Sequence, residues 1–375
     1  MPVPDRVSKI QLVSYADDMS VAKSGKDVDA LYQGNNGINQ YLGKVTTYLH
    51  ERKLEVSAAK SSVTLFTPYN PQLDYHPPVL VNGNPVPLVK RPKILGLTHD
   101  QKYNFTPHID NVVATGRKKN NILKALAGTS WGQQKETLLT VYKATGRSTL
   151  EYVSPVWSPV ISDTNWGRLQ RVQNEALRTA TGCHRMADMA HLHRETKILP
   201  IRPHAEMIIK QYLLSCLQPQ HPNYQLSKAP RPPRPMKETL TTKFGAVIRQ
   251  AAATGQLTTE EYKAAKSAVH TETVRATISQ YPVNKTLNRP PPEIDKSETA
   301  LPRASRSKLA QLRSGHSKLL NSYNARVTGV PNSCPDCNGT PHDSAHLFDC
   351  PARPTTLELL DLWRRPSDVA LFLGL

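Results

Sequence analysis

The sequence predicts an α+β chain. Strand-forming runs separated by turn residues fill the first hundred positions, apolar residues recur at helical spacing from Ile109 onward, and cysteine and histidine gather near the carboxy terminus. At roughly 100–200 residues per domain, 375 residues allow two or three compact units. Proline, at 31 residues, exceeds its usual share of about 5%, so part of the chain should be linker.

The first element is a β-hairpin. Lys9-Ile10-Gln11-Leu12-Val13-Ser14-Tyr15 is rich in strand formers, and Met19-Ser20-Val21-Ala22 can pair back on it across Ala16-Asp17-Asp18, leaving two carboxylates at the tip. From Asp27 to about Lys53, Leu31, Ile38, Leu42, Val45 and Leu49 predict a helix lying against a sheet, weakened early by Gly34 and Gly37. Leu54–Val56, Val63–Phe66, Val79–Val81 with its Asn82-Gly83 turn, and Pro87–Val89 read as short strands.

From Ile109 to about Leu199 the spacing predicts helices over Val112–Leu126, Lys135–Leu150 and Trp166–Ala180, the last with Leu169, Val172, Ala176 and Leu177 on one stripe. Trp131, Trp157 and Trp166 read as core anchors. Pro219, Pro222, Pro230, Pro232, Pro233 and Pro235 then interrupt the chain, and Pro290-Pro291-Pro292 break it again. Lys237–Ser279, between these breaks, is expected to be helical but poorly anchored. Pro302–Val327 reads as one basic amphipathic helix: Arg303, Arg306, Lys308, Arg313, Lys318 and Arg326 have no acid among them, and Leu309, Leu312, Leu319 and Leu320 fall at helical spacing. The expected segments are 1–108 (α+β), 109–217 (helical), 218–300 (Pro-rich linker with loosely anchored helices) and 301–375 (basic helix and cysteine–histidine tail).

Lysine and arginine number 48 against 30 acids, a net charge of +18 that favours polyanion partners, nucleic acid before acidic membrane surfaces. No apolar run approaches the ~18 residues needed to span a bilayer, and Met1-Pro2-Val3-Pro4-Asp5 does not start like a signal peptide, so the expectation is an intracellular chain without a membrane partner. Three of the five cysteines crowd into Cys334–Cys350, while Cys183 and Cys216 stand alone. In a reducing compartment this reads as a metal site rather than disulfides. Cys334-x2-Cys337-x8-His346-x3-Cys350 supplies the four ligands of a closed tetrahedral zinc site. Ser344 could open a short helix that places His346 and Cys350 on one face, and His342 is the rival ligand. Cys183-His184 with His191 and His193 reads as structural rather than as a second metal site.

Adjacent aspartates repel, so Asp17 and Asp18 at a hairpin tip suit a cation, and hard oxygen ligands on a turn suit Mg²⁺ in two-metal phosphoryl transfer. Tyr15-Ala16-Asp17-Asp18 between two short strands resembles the YxDD box of reverse transcriptases. Leu54-Glu55-Val56-Ser57-Ala58-Ala59-Lys60-Ser61 resembles the lysine-bearing segment that follows that box in the polymerase palm. Lys93-Ile94-Leu95-Gly96-Leu97-Thr98 resembles the LG-containing hairpin that leads into the thumb. Leu150–Trp157, Leu309–His316, the cysteine cluster and Leu362–Pro366 agree, so nearly the whole chain is similar to jockey-like and related LINE-type non-LTR retrotransposon polymerases, thinning over Lys228–Ile294.

The resemblance implies a partial palm over 1–108, a helical thumb over 109–217, a linker and a zinc-knuckle tail. It implies RNA-directed DNA polymerisation with Mg²⁺ or Mn²⁺ at Asp17 and Asp18, and Lys60 assisting departure of pyrophosphate. RNA template, DNA primer or target, and dNTP are the implied partners, in cytoplasm and nucleus. Arg117, Lys118 and Lys119 in the thumb, and Arg306, Lys308, Arg313 and Lys318 before the knuckle, are candidate nucleic-acid contacts. The family's fingers and its third metal-binding aspartate would precede Met1, so the expectation is a carboxy-terminal portion that does not polymerise alone. A non-catalytic basic zinc-knuckle nucleic-acid-binding protein derived from such an element is the alternative, and a decayed element a third reading. An RNase H domain is not expected, since Asp295 is the only Asp between Ile201 and Ser333.

Overall fold

The computed structural model describes residues 1–4, 9–34, 36–224, 240–247 and 256–375. It divides into two units, Met1–His108 and Ile109–Leu375. Pro230, Pro232, Pro233, Pro235 and part of the Lys237–Ser279 segment lie outside the described residues.

In the first unit, strands β1 (Ile10–Tyr15) and β2 (Asp18–Lys23) pair antiparallel, with Leu12 opposite Val21 and Tyr15 opposite Asp18. Alternation puts Ile10, Leu12, Met19 and Val21 on one face, which packs on Tyr41, Val45 and Leu49 of the helix Ile38–His50. The expected long helix is instead two, Asp29–Tyr32 and Ile38–His50, because Gly34 turns left-handed (φ +78°) between them. A Cβ at Gly37 would lie 2.6 Å from the Tyr32 carbonyl oxygen, so only glycine lets the chain re-enter the helix there. Lys23 ties the hairpin to this break, its ammonium donating to the carbonyls of Ala30 (2.9 Å) and Asn36 (2.6 Å).

Two more hairpins follow, β3 (Leu80–Val81) with β4 (Asn84–Pro85), and β5 (Lys93–Ile94) with β6 (Leu97–Thr98). Each closes on two residues of positive φ, Asn82-Gly83 and Leu95-Gly96, the backbone that matches strand twist. The Asn39 side chain clips the first of these hairpins to its helix through Leu80 N–H and the Pro78 carbonyl. Three expected strands fail. Leu54–Val56 is coil, with Leu54 and Glu55 exposed and Val56 half-buried, after the helix closes through Leu54 N–H to the Leu49 carbonyl. Val63–Phe66 and Pro87–Val89 meet only as a parallel bridge, Val63 with Leu88, and Pro87 has no N–H with which to extend it.

Within the second unit, the helices Lys135–Val141, Asp163–Thr181 and Met189–Thr196 share a core around Leu138, Tyr142, Leu177 and Leu192. Lys135–Leu150 is helical throughout but passes through a π-helical stretch, Tyr142–Arg147. Ser162 caps the helix Asp163–Thr181 by accepting from Asn165 N–H, and Gly182 ends it at φ +73°. Trp157 and Trp166 are buried as expected, whereas Trp131 is 57% exposed and lies over Gly128, whose missing side chain makes room for it. The helix Thr259–Ser279 begins with a Thr258/Glu261 capping box and packs on Ile201–Ser215, so it is anchored better than its sequence suggests.

The expected single basic helix is two, Arg303–Arg313 and Asn321–Thr328, separated by a turn at Gly315 (φ +68°). The first is not an exposed cationic face. Arg313 is fully buried: its Nη1 donates to Glu195 (3.1 Å), its Nη2 to Glu298, and its Nε to the Leu362 carbonyl (2.8 Å). Arg306 is buried and chelates Glu136 at 2.8 and 2.5 Å, while Arg303 donates to the carbonyls of Gly128, Thr179 and Ala180. Lys135 completes the group, its ammonium 3.6 Å from Glu195 and 3.2 Å from Glu298. Arg306 and Arg313 are therefore corrected from nucleic-acid contacts to internal ion-pair partners, since desolvated guanidinium groups need carboxylates beside them.

His193 predicts how this unit responds to acid. Its Nδ1–H donates to the Ile198 carbonyl (2.6 Å), Nε2 lies 3.2 Å from the Gln170 amide, and burial pushes its pKa down from 6.5 to about 4. An unfolded chain therefore binds a proton between pH 6.5 and 4 that the folded chain refuses, so stability is complete above pH 6.5 and falls as pH drops towards 4. The loss from His193 alone should approach ~3 kcal/mol. Urea unfolding at a series of pH values should show this decline, flattened in His193→Asn.

Candidate functional site

The carboxylate pair sits where the sequence puts it. Ala16 and Asp17 form the two-residue loop, Asp18 opens β2, and both carboxylates are exposed. Ala16 adopts φ +52°, a left-handed conformation costing on the order of 1 kcal/mol for a residue with a Cβ. Tyr15 and Val13, on the hairpin face away from the helix Ile38–His50, are 66% and 61% exposed. Lys60 is exposed in a turn, its N–H directed at Ser57 Oγ, and no ion pair joins it to Asp17 or Asp18 among the described residues. The structure thus brings the two aspartates together and does not bring Lys60 to them.

The second centre is built from a knuckle and a short helix. Cys334 N–H donates to the Gly339 carbonyl (2.8 Å) and Asn338 N–H to the Cys334 carbonyl (2.9 Å), folding Cys334–Gly339 back on itself with Asn338 at φ +57°. Asp343, rather than Ser344, opens the helix His346–Asp349, accepting from the N–H groups of Ala345 (3.0 Å) and His346 (3.1 Å). Ser344 Oγ instead donates to the Leu312 carbonyl. Cys334 Sγ lies 3.8 Å from Cys350 Sγ and Cys337 Sγ 3.2 Å from His346 Nε2, and all four ligand atoms fall within 4.8 Å of one another. This Cys3His cluster could hold zinc: the donor number, the softness of the thiolates and the convergence of ligand atoms all suit a closed tetrahedral site.

His342 is otherwise employed. Its Nδ1 accepts from Asn321 N–H (3.1 Å) and its carbonyl from Ser322 N–H (3.0 Å), which fastens the knuckle to the start of the helix Asn321–Thr328. Burial opposes ionisation of Cys334, but the N–H groups of Asp336 and Cys337, together with His346, outweigh it and bring the thiol down to about 7. Gly339 N–H favours the Cys337 thiolate, yet burial and the neighbouring Cys350 and Cys334 leave that thiol raised. Cys183, by contrast, is fully buried with Sγ 3.7 Å from His191 Nε2, and burial pushes it up to about 12.

Of the other expected nucleic-acid contacts, Arg117 and Lys118 are exposed and Lys119 half-buried on the helix Thr106–Leu126, Lys308 is half-buried and Lys318 exposed. Beside the cluster, Lys318, Asn321, Asn324, Ser333 and Asn338 line an open cleft of about 540 Å³. None of these asparagines was singled out by sequence, and only their position around the knuckle reveals them.

The chain carries a reverse-transcriptase-like region. It is 26% identical over 204 residues to the Drosophila melanogaster protein named "Probable RNA-directed DNA polymerase from transposon X-element", 54% of this chain and 22% of that one. It is 24% identical over 196 residues to the one named "Probable RNA-directed DNA polymerase from transposon BS", 51% of this chain and 20% of that one, from the same organism. The matched part spans about a fifth of the length of these curated relatives. No protein-family model matches the chain, and no solved structure does. No described helix is long and apolar enough to cross a membrane.

Proposed function

We propose that this chain works as the later portion of an RNA-directed DNA polymerase of a non-LTR retrotransposon, with residues 1–108 as palm, 109–217 as thumb and the Cys3His cluster as a zinc knuckle on nucleic acid. The homology of about half the chain to two transposon polymerases carries this reading. Mg²⁺ or Mn²⁺ held by Asp17 and Asp18 would neutralise charge on the phosphoryl group being transferred from dNTP to a DNA primer. Exposure of both carboxylates on a tight hairpin leaves them free to do so. Lys60 would assist departure of the pyrophosphate. A two-metal centre needs a further carboxylate, which we assign to polymerase sequence outside these 375 residues.

The purified chain with Mg²⁺ or Mn²⁺ should therefore show no template-dependent primer extension. Supplied with the preceding polymerase segment of the same element, it should extend a primer, and Asp17→Asn/Asp18→Asn should reduce that synthesis to background while leaving nucleic-acid affinity unchanged. Synthesis that persists in the double variant would remove the metal assignment. The non-catalytic reading draws on the Cys3His cluster and the cationic surface, and it predicts binding to nucleic acid with no synthesis in any combination.

A further inference from the structure

We propose that Lys285, Lys308, Lys318 and Arg326, set around His184 and His316, form a phosphate-binding face that grips the backbone of a single-stranded nucleic acid. It specifies where the partner assumed under the proposed function binds, and so rests on that reading. Four separate segments build the face. The Asn284 side chain donates to the Arg313 carbonyl (3.0 Å) and accepts from the N–H groups of Thr286 and Leu287, pinning the loop that carries Lys285 to the end of the helix Arg303–Arg313. Gln311 donates to the Gly182 carbonyl (2.7 Å), seating the Gly182–His184 turn on the helix that bears Lys308. His316 N–H donates to the Gln311 carbonyl, and Tyr323 then unites the two imidazoles, its ring 5.0 Å from His184 in a stack and 6.1 Å from His316 edge-on. Arg326 follows Tyr323 by one turn of the same helix.

The charge of this face points to a ligand. His184 and His316 are half-buried, His184 Nε2 without a hydrogen-bond partner among the described residues and His316 engaged by the Ser314 backbone. The four cations above them make no ion pair among the described residues, in contrast to Arg306 and Arg313 of the same region. Their proximity is also felt by the rings: after burial, Lys318 and Lys308 depress the His184 pKa, and Arg326 and Lys285 depress that of His316. The acid acting on His316, Asp188, is already committed to capping the helix Met189–Thr196 through His191 N–H (2.7 Å). A phosphodiester chain offers anionic oxygens to these cations, which a flexible single strand can follow from one to the next.

The test is fluorescence anisotropy of the full chain with a labelled oligouridylate and its deoxy counterpart over a range of salt. Lys285→Ala/Lys318→Ala/Arg326→Ala removes three exposed cations without touching the core, and should lower the slope of log K against log salt by about 2, weakening binding roughly 100-fold at 0.1 M salt. Lys263→Ala/Lys266→Ala/Arg275→Ala removes equal charge from the exposed helix Thr259–Ser279 and should leave the slope near wild type. Equal effects of the two triple variants, or an unchanged slope in the first, would overturn the assignment. So would displacement of the oligonucleotide by polyglutamate at equal charge, which would mark an acidic-peptide site. None of these outcomes bears on synthesis reconstituted through Asp17 and Asp18, so the two readings fail separately.

Discussion

Arg313→Met should destabilise the second unit by about 3–5 kcal/mol. Arg313 is fully buried between Glu195 and Glu298, whose side chains are each 2% exposed. Methionine fills most of the volume but leaves two carboxylates facing each other in the interior, with Lys135 as their remaining close cation besides Arg306, 3.7 Å from Glu298. Burial by itself would raise Glu195; Arg313, Lys135 and His191 outweigh it and hold the carboxyl down at about 2. With a depressed folded pKa, the stability from Glu195 is present above about pH 4.5 and is lost as pH falls through the folded value. Arg313→Met should abolish much of that acid limb. The double variant Arg313→Met/Glu298→Gln should be more stable than Arg313→Met, because Glu195 then keeps Lys135 to itself. Urea unfolding of the three proteins measures both effects, and a loss under 1 kcal/mol in Arg313→Met would sink the ion-pair account.

This cluster was illegible in the sequence for a definable reason. Glu195 lies 118 residues from Arg313, Glu136 lies 170 from Arg306, and the carbonyls that receive Arg303 lie 123 to 175 residues away. A run of cations without local acids reads as a surface because nothing nearby neutralises it. A signal existed all the same: Arg306, Leu309, Ala310 and Arg313 follow the i, i+3, i+4, i+7 spacing of one stripe, so the arginines share the apolar face. The hairpins were legible because their determinants are local. Strand formers flank Ala16-Asp17, Asn82-Gly83 is a turn pair in itself, Leu95-Gly96 is legible through the resemblance, and each turn closes within two residues. The four cluster residues, His346 among them, were likewise readable from spacing, and the structure adds what occupies the rival His342: Asn321, 21 positions away. The phosphate-binding face combines loops from residues 184 to 326 and had no linear signature.

Removing zinc should unfold the segment from Asn321 to Cys350 while the core around Leu138 and Leu177 survives. Beyond the metal, that segment is held by short elements and a few hydrogen bonds, Asn321 N–H to His342 and Ser344 Oγ to the Leu312 carbonyl among them. Its helices Asn321–Thr328 and His346–Asp349 are short, and the knuckle closes on two backbone bonds, Cys334 N–H to Gly339 and Asn338 N–H to Cys334. Apolar support comes from Tyr323 and Phe348 packing with Leu312, Leu320 and Trp363. Such a contact set resembles that of small zinc domains, in which metal binding contributes about 10–16 kcal/mol at neutral pH and the apo form is unfolded. The purified chain should contain one equivalent of zinc, and Co²⁺ substitution should give the absorption of a three-sulfur, one-nitrogen tetrahedral site. Cys337→Ser should lose the metal, and His342→Asn should keep it, because His342 meets Asn321 rather than the cluster. Hydrogen exchange after chelation should lose protection at Asn338 and Phe348 N–H but not within Asp163–Thr181. Retained protection at Asn338 in metal-free protein would mean that the Tyr323–Phe348 core, and not the metal, folds the knuckle.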